Sequence, residues 1–411
     1  MKKTILVIYF ARDIYPLRDT IKSHLFSYKK FSKNKIVYIN LAFGFPEKII
    51  KKLHLDGIIF HTSFLSLRWN CGGFNKKIKE VEYLKEVTCS KIAIPQDEFY
   101  NTDILNQFII DFGITHIFTC SFEDDWRKIY DKIDTNKVQL RTILTGYIDN
   151  DSVKRINKLK EKHKKRNIDI GYRAWKAEYW LGEHGLYKTQ IADIFKKSAI
   201  EKGYKVDISL EEKDVLLGDN WFEFLLKCRA TLGVEGGASI LDKNGNIKEK
   251  VDEYLNINNN ASFEETKIQC FANEDDYINL KCISPRHFEA CITETCQFLI
   301  EGNYNNILQP WVHYVPIKKD FSNISQVLDT LVDLDKITSI AKKAYEEIVL
   351  SDKWNYRTFV EIIDQTISDN NKVFNKNHNL HLLYNLLFRD IINWQQLKIR
   401  TFLSKILKIR K

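Results

Sequence analysis

The 411-residue chain is 44% hydrophobic and 13% aromatic, which excludes a disordered polypeptide and suffices for two domains with full cores. Its net charge of +9 is concentrated in one place: Asn371 to Lys411 holds nine Lys/Arg against one Asp, so this tail carries +8 and the remainder about +1. A general nucleic-acid-binding surface is thereby excluded, and no apolar run approaches the length of a transmembrane helix. The first element, "TILVIYF", reads as a buried strand. It is too short for a signal peptide, is cut by Arg12 and Asp13, and lacks a small-residue cleavage site.

Further strand-like runs follow at "KIVYINL", "DGIIFHT", "KIAIP" and "HIFTC", most of them separated by amphipathic segments of helical length. Such alternation predicts a parallel sheet with helices on both faces. Ligands of open α/β sheets bind beyond the carboxyl ends of the strands. Arg12, His61, Gln96 and Asp97 stand at such positions and are the candidates of this half. A lone histidine after a strand also serves as an ordinary structural residue, whereas Asp97 stands among three consecutive polar residues. The charge-dense "DNDSVKRINKLKEKHKKRN" then predicts a solvated helix or linker. It places an N-terminal domain at 1–147, a linker at 148–166 and a second domain at 167–350.

The second domain repeats the α/β pattern through "IDIGYR", "YKVDIS", "ATLGV", "YINLKCIS", "CQFLI" and "HYVPI", with 243–276 as an inserted excursion. A strand ending at Tyr172 puts Arg173 immediately after it, and Lys188 opens a helix after the glycine-bearing loop 182–185. Arg, Lys and free helix N–H groups together make a diphosphate site; the alternative is two residues on a solvated loop. In "VEGG", Glu235 precedes Gly236 and Gly237, which permit close approach by a ligand or form an ordinary turn. In "SPRHFEAC", Ser284 is a plausible N-cap and Pro285 suits the first helical turn. Glu289, one turn inside, could hold ribose hydroxyls, with Arg286 and His287 on phosphate. The same residues also make a respectable helix start with a favourable dipole. Residues 351–370 read as a helix crossing back, and 371–411 as a basic amphipathic tail. There Ile399, Phe402, Leu403, Ile406 and Ile409 share one side, interleaved with Lys398, Lys405, Lys408 and Arg410. The tail suits an interfacial membrane element or a helix packed back on the N-terminal domain. The eight cysteines form no C-x-x-C pair and no zinc spacing, so reduced core residues of a cytoplasmic protein are expected.

"SPRHFEACITETCQFLIEGNYNNILQPWVHYVPIKKDFSN" resembles the C-terminal half of retaining, two-Rossmann-domain (GT-B) glycosyltransferases. It is most similar to the CgeB-like group with an S-P-R-x-F-E-A motif, encoded in bacterial surface-polysaccharide clusters. The resemblance extends to "IGYRAWKAEYWLGEHGLYK", "GVEGGASILD", "IPQDEFYNTDILNQFI" and "YPLRDTIKSHLFSY", and so covers most of residues 1–350. It implies two Rossmann-like domains facing a cleft, with extra C-terminal helices. It gives Arg173 and Lys188 the donor diphosphate and Glu289 the nucleotide ribose, with Ser284, Arg286, His287, Gly236 and Gly237 on the donor side. The family's first acidic residue would fall at position 281, which is Lys281; Glu235 is expected to touch the donor sugar in its place.

The resemblance further implies retention of configuration, a nucleotide-sugar donor, no essential metal or other cofactor, and a glycan or lipid-linked acceptor. The acceptor falls to the N-terminal domain, with Arg12, His61 and Gln96 on the acceptor side and Asp97 expected among the catalytic residues with Arg173, Lys188 and Glu235. A cytoplasmic sugar transferase, with its tail on the inner membrane face, is the expectation. The alternative is a non-catalytic, membrane-associated scaffold with a degenerate nucleotide site, which the missing glutamate pair keeps open. Nucleic acid is not an expected partner.

Overall fold

The computed structural model describes residues 2–12, 19–163, 165–369 and 380–406. Its contacts divide the chain into unit 1, residues 1–143 with 359–411, and unit 2, residues 144–358. Unit 1 opens with β1 (Thr4–Tyr9), α1 (Asp19–Phe31), β2 (Lys35–Asn40), α2 (Glu47–Ile50), β3 (Gly57–Phe60), α3 (Thr62–Leu65) and α4 (Cys71–Glu80). It continues through β4 (Ser90–Ala93), α5 (Thr102–Asp111), β5 (His116–Thr119), α6 (Glu123–Ile129) and β6 (Gln139–Thr142).

The six strands form one parallel sheet in the order β2-β1-β3-β4-β5-β6. Every residue of β1 is buried, which is why this strand is an unbroken apolar run rather than an alternating one. The sheet edge β6 is the strand the sequence does not announce. It is polar, and none of its residues is fully buried, so no core face imprints a pattern on it.

Unit 2 begins with α7 (Asn150–Lys162), β7 (Ile168–Arg173), α8 (Gly182–Glu201), β8 (Val206–Ser209), α9 (Asp219–Lys227), β9 (Cys228–Gly233) and β10 (Gly236–Ala238). Next come α10 (Asn246–Ile257), α11 (Phe263–Cys270), β11 (Leu280–Cys282), α12 (Pro285–Ile292), β12 (Cys296–Ile300), β13 (Val315–Ile317), α13 (Ile324–Asp329) and α14 (Leu334–Ala344). Its parallel sheet runs β13-β12-β9-β7-β8, and β10 and β11 pair antiparallel beside it. The helices α15 (Tyr356–Asp369) and α16 (Leu380–Ile406) end the described chain.

Of the two expectations for the charge-dense segment, a helix is what forms, and one face of it is packed rather than solvated. Ile156 of α7 is fully buried, and Val153 and Leu159 pack into the same cluster with Phe288, Ile292 and Ile348. Three apolar residues at i, i+3 and i+6 form a stripe narrow enough to be hidden by the surrounding lysines. The excursion likewise folds into α10 and α11, the latter opened by a capping box between Ser262 and Glu265. All eight cysteines are free thiols, five of them buried. Among the described residues, no helix is long and apolar enough to cross a membrane.

In both sheets the first strand of the unit is flanked by the second on one side and the third on the other. The order therefore reverses between β1 and β3 in unit 1 and between β7 and β9 in unit 2. Connections leave in opposite directions at such a point and open a crevice at the carboxyl ends of the strands.

Candidate functional site

In unit 2 a small, solvent-open pocket lies at the carboxyl ends of β7 and β8. It is lined by Arg173, Ala174, Trp175, Glu211, Val215, Leu216, Trp221 and Arg286. Arg286, exposed at the start of α12, stacks its guanidinium 5.0 Å from the Trp221 ring centre and donates to the carbonyl of Arg173. The Trp221 indole N–H donates to Glu289 Oε2 at 2.8 Å. One cation, one indole and one carboxylate are thus joined across 68 positions of sequence. The two tryptophans, Trp175 (50% exposed) and Trp221, are the residues that sequence reasoning missed. Trp175 lies within the quoted "IGYRAWKAEYW" stretch but is not singled out there, and no local signal ties Trp221 to Glu289.

Arg173 is placed differently from the expectation. It is the last residue of β7 rather than the first beyond it. Its Nη2 pairs with Asp207 Oδ1 at 2.7 Å, and Nη1 donates to the carbonyls of Asp207 and Tyr172 at 2.9 and 3.0 Å. Nε reaches the carbonyl of Asp214 at 3.2 Å, and the guanidinium stacks 4.4 Å from the Phe224 ring. Every guanidinium nitrogen is engaged, because Asp207 on the adjacent strand β8 offers a carboxylate beside the strand end. Arg173 builds the pocket wall; Arg286 is the cation presented to solvent.

His287 is also corrected. It is buried, and its Nδ1 accepts the Ser284 N–H at 3.0 Å, closing the first turn of α12 around Ser284. Burial holds its pKa down to about 4, so at neutral pH it is an uncharged cap with its ring edge-on to Tyr304. Of the two basic residues in this turn, Arg286 is the exposed one.

The expected Lys188 opening of a helix also shifts. The glycine loop 182–185 is itself the first turn of α8, and Lys188 sits in the second. The first N–H groups of α8 are satisfied internally: Glu183 N–H donates to the Asp275 carboxylate at 3.1 Å and His184 N–H to Ser239 Oγ at 3.2 Å. The helix end therefore offers these donors to its own chain, not to a ligand.

Glu235 follows β9 at the reversal point of the sheet and is 3% exposed. Its Oε1 accepts the Tyr304 N–H at 2.6 Å, and its carbonyl accepts from His184 Nε2 at 3.1 Å. A side chain on Gly302 would meet Glu235 Oε2 at 2.2 Å, so any larger residue there forces the carboxylate to move. The carboxylate thus ties down the loop after β12, where Tyr304, Asn305 and Asn306 all have positive φ. Burial raises the Glu235 pKa against the opposing amide hydrogen bonds and the charges of Lys281 and Lys319. Lys188, Lys281 and Lys319 also act together on His184, whose pKa is held down to about 3, first by burial and then by these charges. Lys281 and Lys319 thus bear on both Glu235 and His184, and Lys188 on His184. Lys281 enters the sequence argument only as a missing glutamate, and Lys319 not at all.

The glycines beside Glu235 have a simpler role than ligand approach. A Cβ on Gly237 (φ 119°) would lie 1.7 Å from the Leu280 carbonyl, so this glycine permits the β10–β11 pairing. Gly236 has room for a side chain at ordinary contact distances.

In unit 1 the residues after β4 form a second organised loop. Arg68 is fully buried and donates to the carbonyls of Leu65 and Tyr100 at 3.1 Å and of Gln96 and Asp97 at 2.6 Å. Gln96 is half-buried, while Asp97 is exposed with φ 54°. Asn101, also at positive φ, donates to the Arg68 carbonyl at 2.9 Å. Trp69, 39% exposed, stacks on Tyr100 with ring centres 4.6 Å apart. Beneath lies Glu98, fully buried, accepting from Thr119 Oγ1, from Tyr130 Oη at 2.6 Å and from Cys120 N–H at 3.1 Å. Burial raises its pKa to about 7.

His61 faces away from any such surface. It is fully buried, caps α3 by accepting the Ser63 N–H at 3.1 Å, and meets His24 Nδ1 through Nε2 at 2.9 Å. Its position after β3 is explained by this structural role. Arg12 is exposed, three residues beyond the end of β1.

No family model matches the chain, and no curated protein matches it. Among solved structures, it is similar to an α-glucosyltransferase in complex with UDP and a 13-mer DNA, at 9% identity over 90% of this chain and 100% of that one, with a TM-score of 0.49. Anabaena HepE in complex with UDP is 9% identical over 89% of this chain and 100% of its own, with a TM-score of 0.48. The apo structure of OtsA gives 10%, 91%, 100% and 0.45. These are likenesses of chain course; the functional reading rests on the residues of the site.

Proposed function

We propose that the chain is a glycosyltransferase of the GT-B class, moving a sugar from a nucleotide-activated donor to an acceptor hydroxyl. The observation that carries this reading is the Arg286–Trp221–Glu289 assembly at the carboxyl edge of the unit 2 sheet. An indole with a second tryptophan nearby suits a planar base, a solvent-facing guanidinium suits phosphate, and a carboxylate suits ribose hydroxyls. The resemblance of "SPRHFEA" points to the same residues.

In the transfer, the bond between the anomeric carbon and the diphosphate oxygen breaks and a bond to the acceptor oxygen forms. Negative charge grows on the departing diphosphate, and the field of Lys188, Lys281 and Lys319 favours that growth. The acceptor proton passes to the leaving oxygen on the same face, so configuration is retained and no side-chain base is needed. No metal or further cofactor belongs to the reading. Glu235 holds the loop after β12 in place and so acts on the donor sugar through that loop. The acceptor is a glycan or a lipid-linked sugar of bacterial surface polysaccharide, handled in the cytoplasm. The loop after β4 suits it: Trp69 offers an aromatic surface for a sugar ring and Asp97 a carboxylate for hydroxyls.

Calorimetric titration of UDP, GDP and CMP into the wild type, Glu289→Ala and Arg286→Ala tests this. One nucleotide is expected to bind, with affinity lowered roughly tenfold or more in each variant, the size of a lost charged hydrogen bond. Absence of binding by all three nucleotides and by their sugar conjugates would sink the reading and leave the scaffold.

A further inference from the structure

The helix α16 is arranged inside out. Its inward face carries Leu386, Asp390, Asn393 and Leu397, all buried at spacings of four, three and four residues. Asp390 accepts from Tyr9 Oη at 3.2 Å, Arg389 donates to the carbonyls of Phe43 and Gly44 at 2.7 and 3.0 Å, and Trp394 packs edge-on against Phe26. These contacts bind the helix to the β2 side of unit 1. The opposite face displays Tyr384, Phe388, Ile391, Ile392, Ile399 and Phe402, each between 40% and 67% exposed. At 1.5 Å per residue this stripe runs along most of a helix about 40 Å long.

When water is the only alternative medium, a helix turns its Phe and Ile toward the protein and its Asp and Asn outward. Here the distribution is reversed, and the buried Asp390 is held by the Tyr9 hydroxyl. An uncovered stripe of this extent marks a contact with another apolar phase. The charges say which one. The sole acidic residue of α16 is Asp390, and it is buried; the charged side chains exposed on the described helix are Lys398 and Arg400. The exposed charge of the described helix is therefore all positive, and an anionic surface complements it.

We propose that α16 is an interfacial helix that lays unit 1 on an anionic phospholipid surface, with Phe388 and Phe402 entering the acyl boundary and Lys398 meeting the headgroups. Residues 407–411, which the sequence analysis assigns to the same amphipathic tail, lie outside the described residues. The two expectations for the tail, packing on unit 1 and contact with lipid, are then not alternatives, because opposite faces of one helix serve them.

The test is co-sedimentation of the full-length protein with vesicles of phosphatidylcholine alone and of phosphatidylcholine mixed with phosphatidylglycerol. No nucleotide is added, so the outcome is independent of glycosyl transfer. Binding to the mixed vesicles should exceed binding to the neutral ones by roughly tenfold and weaken with salt. The outward double variant Phe388→Ser/Phe402→Ser should lose binding by roughly tenfold or more while its melting temperature stays unchanged. Lys398→Glu should erase the preference for the anionic vesicles. Protein remaining in the supernatant with both vesicles, or binding indifferent to the serine variant, would overturn the proposal. A dimer seen by analytical ultracentrifugation and abolished by the serine variant, without vesicle binding, would overturn it in favour of self-association.

Discussion

Two loops at strand ends, one in each unit, are built on one plan with opposite charge. After β4, the buried cation Arg68 gathers the carbonyls of Gln96, Asp97 and Tyr100; after β12, the buried anion Glu235 receives the amide of Tyr304. Both loops contain non-glycine residues at positive φ, Asp97 and Asn101 in one and Tyr304, Asn305 and Asn306 in the other. Such backbone persists only where its surroundings impose it, at a cost of about 1–3 kcal/mol per residue. The difference lies in what can release the loop. A guanidinium stays charged throughout the accessible pH range, so the first loop has a permanent anchor. The second is anchored by a carboxylate, a group whose charge a proton can remove.

The comparison is most severely tested at Arg68. Arg68→Met removes the shared donor of four carbonyls from a fully buried site and should lower unfolding free energy by about 3–5 kcal/mol in urea. Arg68→Lys should recover little of this, because one ammonium cannot span the four acceptors. A loss near zero in the Met variant would break the parallel between the loops.

Glu98, under the same loop, supplies the next largest effect. Its pKa is raised to about 7, so the native state holds a proton that the unfolded chain releases at ordinary carboxylate pH. Its stabilising contribution is full below the unfolded value and is lost as pH rises through about 7, a swing on the order of 3 kcal/mol. The buried His24 and His184, with pKa values held down to about 4 and 3 by burial, act oppositely and lose stability as pH falls below 6.5. Glu98→Gln should therefore remove the part of the pH 5 to pH 8 change that carries the first sign. Urea curves that keep the wild-type difference in the variant would refute the assignment.

At the second loop, Gly302→Ala drives a methyl into Glu235 and should destabilise by about 1–3 kcal/mol. Glu235→Gln should cost only about 1 kcal/mol, since its amide oxygen can still accept the Tyr304 N–H. Thermal melts that reverse this order would show that the carboxylate charge, not the space beside it, holds the loop. The smallest effect is expected at Asp97→Gly. Arg68 holds the Asp97 carbonyl, and glycine tolerates φ 54° better, so stability should rise by no more than about 1 kcal/mol. Any loss of turnover in this variant would then be a loss of the carboxylate itself.

These loops also show where reading from sequence stops. The strands β1 to β5 are visible as apolar runs because burial on both faces imposes them, and β6 is not because an edge escapes that pressure. The start of α12 is legible from Ser284 and Pro285, whose roles are local. The role of His287 is not, since the same Ser-Pro-Arg-His suits a ligand-facing turn or a closed cap, and only burial against Tyr304 decides. Arg173 stands at the strand end with no sign in its neighbourhood that Asp207 will occupy its guanidinium. Trp221 and Glu289 are joined by one hydrogen bond across two helices that no periodicity relates.

The sequence alone determined the elements and their class: two α/β series, a helix at Ser284, and a basic amphipathic segment at the end of the chain. Those properties follow from hydrophobic period, capping chemistry and charge, which act over a few residues. The tertiary structure alone decided which polar groups are engaged and which are presented, turning Arg173, Glu235 and His61 inward and leaving Arg286 and the apolar face of α16 outward. A side chain's period fixes the face it lies on, but its hydrogen-bond partner comes from whichever distant strand or helix the packing brings within 3 Å.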